Sequence, residues 1–124
     1  MKLGPATPIL RIFDEAAARA FYVGWLGFRE DFTHRFAPDM PLYLGVLRGG
    51  VSLHLTEHHG DTTSGTRLRI AVDDIDAFYA DLCSRPYSRQ RPDPPPREQP
   101  WGERDVTLTD PFGNRLTFVQ EEAP

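Results

Sequence analysis

The chain holds one cysteine, Cys83, in 124 residues, which excludes an intrachain disulfide and a cysteine-built metal cluster. Nothing therefore requires an oxidising compartment. Positive charge is also short. Fourteen basic against 18 acidic side chains leave a net charge of −4, which argues against nucleic acid as the main partner because phosphate binding needs a basic footprint. There is no basic-then-apolar leader and no apolar run of membrane-spanning length, so the expectation is a cytoplasmic protein, neither exported nor inserted in a membrane. No serine stands in a Gly-x-Ser-x-Gly elbow, and Gly49-Gly50 has the context of a hairpin turn, not a phosphate loop.

What is present is a repeat in an ordinary soluble composition, 40% hydrophobic and 26% charged. Residues 6–13 alternate as a strand, with Pro8, Leu10 and Ile12 on one face and Thr7, Ile9, Arg11 and Phe13 on the other. Pro8 cannot donate to a ladder and marks a sheet edge or an exchange point between modules or subunits. Asp14 caps a helix over residues 15–26 in which Ala18, Phe21, Tyr22 and Trp25 form an apolar stripe, and Gly27 closes it. Strands are predicted over 28–36, 43–47 and 51–56, and the polar residues 58–65 read as a solvated linker.

The pattern then restarts. A strand over 66–72 leads to a helix capped by Asp73 or Asp74, striped by Ile75, Phe78, Tyr79 and Leu82 and stopped by Pro86. Residues 87–99 form a proline-laden loop with room for one short edge strand. Strands over 105–109 and 115–118 flank the turn Asp110-Pro111-Phe112-Gly113-Asn114. The expected organisation is one domain, with a first module over 6–57, a linker over 58–65 and a second module over 66–121. Trp101-Gly102, just ahead of the last hairpin, admits two readings: a stacking platform or a core plug.

The repeat, Leu26-Gly27-Phe28, and Gln99-Pro100-Trp101-Gly102 followed by the Asp-Pro-x-Gly-Asn turn resemble the glyoxalase, bleomycin-resistance and extradiol-dioxygenase superfamily. The bleomycin-resistance proteins are the most similar branch. The resemblance implies an α+β fold of two β-α-β-β-β modules whose curled mixed sheets form a cup with helices on the convex side. Leu10, Leu53, Leu55, Leu68, Ile70, Leu116 and Phe118 would then pack under the helices. Thr7, Ile9, Arg11, Ser52, His54, Thr56, Arg67, Arg69, Thr107, Arg115 and Thr117 would face the cup, which must be wet, paired or occupied by a ligand.

Metalloenzymes of this superfamily hold a divalent ion at four strand positions, which match Thr7, His54, Arg67 and Thr117. Only His54 ligates well, so no metal or other cofactor and no catalytic residue is expected. The adjacent His58 and His59 lack a convergent partner, and Asp73, Asp74 and Asp76 are explained by helix capping. The branch further implies a homodimer that sequesters a bleomycin-type drug in interfacial clefts. Trp101 matches the stacking tryptophan and Phe36 its facing phenylalanine, with Phe32 the fallback; His54, Arg67, Arg69 and Thr117 complete the expected ligand site. The basic face suits an anion better, unless Glu98, Glu103 and Asp105 offset it. Two other readings stay open: a metal-dependent lyase, isomerase or dioxygenase using His54 with a carboxylate such as Glu57, and a regulatory or scaffolding module with an empty cup.

Overall fold

The computed structural model describes residues 1–87 and 95–121. Two four-stranded sheets repeat one topology. The first, in the order β1-β4-β3-β2, comprises β1 (Ile9–Arg11), β2 (Arg29–His34), β3 (Tyr43–Arg48) and β4 (Val51–Thr56). The second, β5-β8-β7-β6, comprises β5 (Arg67–Ala71), β6 (Arg97–Gln99), β7 (Glu103–Thr109) and β8 (Arg115–Glu121). In each sheet the strand before the helix runs parallel to the last strand, and the other pairings are antiparallel. This is the expected α+β architecture, with Pro8 immediately before an edge strand. The short edge strand foreseen within 87–99 is β6, while residues 88–94 of that loop lie outside the described residues.

Both helix starts follow their caps. Asp14 accepts from Ala17 N at 2.8 Å to open α1 (Glu15–Arg19), and Asp74 accepts from Ala77 N at 3.0 Å to open α2 (Ile75–Cys83). The first helix does not continue as a regular α-helix to Leu26. Residues Ala20–Trp25 widen into π-helical turns, with Leu26 N bonded to Phe21 O. The widening seats Phe21, Tyr22, Trp25 and Leu26, none more than 1% exposed, on one core-facing side. Gly27 leaves this segment at φ 75°, as its expected capping role requires. Among the described residues no helix is long and apolar enough to cross a membrane.

The strand faces follow their period. Leu10, Leu53, Leu55, Ile70, Leu116 and Phe118 are buried in one cluster that takes residues from both halves, and Leu68 packs on its margin. Thr56 departs from its expected place on the cup. It is fully buried, because the segment after β4 folds over it: its hydroxyl donates to Asp61 Oδ2 at 2.7 Å and accepts from His58 N at 3.1 Å.

Two polar stitches join the halves. In one, Asp110 accepts from the Tyr22 hydroxyl at 2.6 Å and from Asn114 Nδ2 at 2.9 Å; Asn114 also donates to Arg11 O and accepts from Thr66 N. Burial, then the neighbouring Asp110 carboxylate, pushes the Tyr22 phenol well above its ordinary range, so it remains a donor. In the other, Trp25 Nε1 donates to Leu82 O, while Arg85 and Arg48 donate to Trp25 O and Leu26 O and both bind Asp81. Those guanidiniums satisfy carbonyls that a helix C-terminus leaves open.

Candidate functional site

Gly45 organises the outer face of the first sheet. It stands opposite Phe32 in the β2–β3 register, beside the irregularity between Glu30 and Phe32, and the Phe32 ring lies across it. A Cβ at Gly45 would come closer than 3.0 Å to three atoms of that ring. A strand-interior glycine thus gives an aromatic side chain its seat. Phe32 stacks beside Tyr43 (centroids 6.2 Å, 18°) and meets His54 edge-on (5.1 Å, 89°). The Tyr43 hydroxyl and His54 Nδ1 share a hydrogen bond of 2.8 Å. Burial first, and the charge of Asp61 second, raise the Tyr43 phenol, which equips it to donate.

Phe36 lies just beyond β2, 78% exposed, with His34 edge-on at 4.9 Å and His58 edge-on at 6.2 Å. Phe32, His34, Phe36, Pro41, Tyr43, His58 and Asp61 line a pocket of about 400 Å³. That volume and aromatic lining suit a small organic molecule. His58 and Asp61, read from sequence as part of a solvated linker, are walls of this pocket, and His58 Nε2 is buried without a hydrogen-bond partner. Sequence reasoning missed His34, Tyr43, His58 and Asp61. The glycine inside β3 was the available signal for the Phe32 wall, whereas the fold-back of residues 57–61 depends on Thr56 and has no local pattern.

A larger groove of about 1150 Å³ runs between the β3–β4 turn and the start of α2. Of its polar groups, Arg48 is committed to Asp81 and Asp74 to the α2 cap.

On the second sheet, Arg69 binds Glu103 at 2.7 Å, and Thr117, 8% exposed, shares its hydroxyl with Thr107 at 2.8 Å. Arg69 first, with Trp101 and Asp105 acting in the same direction, holds the Glu103 carboxyl below its usual range against desolvation. Arg67 is exposed on the same side of β5 as Arg69. Trp101 stands on the β6–β7 turn, 67% exposed, beside Gly102 at φ 91°. It does not line the 400 Å³ pocket. The fold therefore brings Phe32 and Phe36 together with His54 behind them, and leaves Arg67, Arg69, Thr117 and Trp101 on the other sheet.

The four positions that correspond to a superfamily metal set do not fit a divalent cation. Thr7 is an exposed hydroxyl, Thr117 is bonded to Thr107 and Arg67 is itself a cation, which leaves Nε2 of His54 as the one good ligand of the four. Among the described residues no group of three or more His, Cys, Asp or Glu side chains is placed to hold a metal ion.

Residues 2–123 match the family model described as glyoxalase superfamily protein. The chain belongs to the glyoxalase superfamily. Within that superfamily it resembles a bleomycin-binding protein solved in complex with bleomycin, at 28% identity and TM-score 0.72, over 97% of this chain and 100% of the other. It resembles TnmS3, an antibiotic-binding protein from Streptomyces sp. CB03234, at 27% identity and TM-score 0.75, over 98% and 99%. It also resembles the bleomycin resistance determinant encoded on transposon Tn5, at 27% identity and TM-score 0.71, over 98% and 100%. No curated protein sequence matches this glyoxalase-superfamily chain.

The wall built on Gly45 makes a prediction. Gly45→Ala forces the Phe32 ring off its seat and is expected to cost about 1–3 kcal/mol. In a Phe32→Ala background the same change should cost little, a coupling that a double-mutant cycle by urea denaturation measures. Additive costs would show that the ring and the glycine are independent.

Proposed function

We propose that this protein binds and sequesters a bleomycin-type glycopeptide antibiotic without modifying it, in clefts formed between two copies of the chain. The observation that carries the reading is the pair of exposed aromatic surfaces, Phe32 and Phe36 on one sheet and Trp101 on the other, in a fold similar to bleomycin- and antibiotic-binding proteins. A planar heteroaromatic group suits such surfaces, because stacking buries flat apolar area with few rotors to freeze. A cationic tail adds attraction to the ring faces. Sequestration needs no chemistry, since a bound drug is unavailable. In this reading Trp101, Phe36 and Phe32 stack the ligand, and His54, Arg67, Arg69 and Thr117 supply polar contacts. A partner copy would also cover Ile9 and Phe13, which β1 and its exit leave 38% and 57% exposed.

Isothermal titration with bleomycin tests this directly. Saturable binding is expected, and Trp101→Ala and Phe36→Ala should each weaken it about 10- to 100-fold, or about 1.4–2.8 kcal/mol. Absence of saturable heat would remove bleomycin as the ligand. Light scattering should give twice the 14.1 kDa chain mass, and a monomer would reject the interfacial cleft.

A further inference from the structure

Arginines in this fold are mostly matched to carboxylates. Arg19 and Arg35 bind Glu15, Arg48 and Arg85 bind Asp81, Arg69 binds Glu103 and Arg104 binds Asp76. Arg67 and Arg115 break that rule where it would matter most. They are direct neighbours in the β5–β8 register, both exposed, and their alternation with the core-facing Leu68 and Leu116 puts them on one face. Neither guanidinium has an ion pair or hydrogen bond among the described residues. Like charges directly opposite one another on adjacent strands are destabilising. The next rung of the same ladder carries Arg69 and Thr117, where Glu103 neutralises the one arginine. The rung of Arg67 and Arg115 ends in Thr109 on β7, which adds a hydroxyl and no negative charge.

The strand that carries a further arginine without a carboxylate partner ends close by. The Arg11 carbonyl accepts from Asn114 Nδ2 at 2.8 Å, so the end of β1 lies beside the residue that precedes Arg115. Arg11 Nη1 is buried and has no hydrogen-bond acceptor, while its guanidinium carbon lies 4.7 Å from the centre of the Phe13 ring. Like Arg67 and Arg115, Arg11 alternates with core residues, Leu10 and Ile12. Arg67 and Arg115 thus stand side by side, and Arg11 lies on the strand whose end reaches Asn114, with no carboxylate bound to any of the three among the described residues.

We propose that Arg67 and Arg115 form a receptor for a compact oxyanion: the phosphate, sulfate or carboxylate group of a small molecule. Guanidiniums suit this role because their planar N–H forks match oxyanion geometry and stay charged at any working pH. An oxyanion on this rung turns a repulsive pair into two charge-assisted contacts. The receptor does not depend on the aromatic pocket or on the identity of the ligand proposed above.

The test uses inorganic anions alone at low ionic strength, where screening is weak. Phosphate, sulfate and acetate are titrated into the full chain while the arginine Nε–Hε signals are followed by NMR. Saturable shifts are expected, with Arg67→Gln and Arg115→Gln each weakening binding at least tenfold and Arg29→Gln, on β2, leaving it unchanged. Saturation by acetate assigns the receptor to carboxylates, and saturation by phosphate or sulfate alone assigns it to tetrahedral dianions. Shifts that never saturate, or binding equal to wild type in both Gln variants, would overturn the proposal. Loss of bleomycin binding with phosphate binding intact would fail only the antibiotic reading.

Discussion

Asp110→Ala is expected to remove about 3–5 kcal/mol of stability, much of what a domain of this size has in total. The carboxylate is 4% exposed and accepts four hydrogen bonds, from the Tyr22 hydroxyl, Asn114 Nδ2, Phe112 N and Asn114 N. Its removal leaves several donors facing a site with little access to water, and each unsatisfied group costs about 1–3 kcal/mol before relaxation. Tyr22→Phe removes one donor and leaves the other three satisfied, so it should cost only about 1–2 kcal/mol. Urea denaturation of both variants checks the ranking. An Asp110→Ala protein within 1 kcal/mol of wild type would mean that the turn holds its shape without the carboxylate.

Trp25→Ala carries an effect of similar size, about 3–5 kcal/mol, through a different route. The indole is 1% exposed, stacks on Tyr87 at 4.8 Å and 11°, and meets Phe21 edge-on. Alanine leaves a cavity in the packing between the first helix and the residues that follow α2, and the Leu82 carbonyl loses its indole donor. Trp25→Phe refills much of the volume without that donor, so its cost should fall well below that of alanine. Equal losses from both variants would place the effect in the hydrogen bond alone.

The sequence carried the frame of this fold because its signals are local. The caps Asp14 and Asp74, the closing Gly27, and the alternation of Leu53 and Leu55 or Leu116 and Phe118 each act within a few residues. The π-helical turns were not legible. Phe21, Tyr22 and Trp25 fit a regular helical stripe equally well, and the partners of Trp25 in the wider turn, Leu82, Tyr87 and Arg85, lie about 60 positions away. The site divides the same way. Phe32 and Phe36 were within reach by resemblance, whereas His58 and Asp61 enter the pocket only because Thr56 tethers their loop.

The stitch at Asp110 and Asn114 bears on how the chain reaches this state. It connects Tyr22 to a carboxylate 88 positions later and Arg11 to an amide 103 positions later. A ribosome releases the first sheet and its helix long before either partner exists. Until the last hairpin emerges, the Tyr22 hydroxyl has no buried acceptor, and closing loops of that length is entropically slow. These two bonds therefore form only after β7 and β8 have been made, and they tie the first half to the second late in the making of this domain.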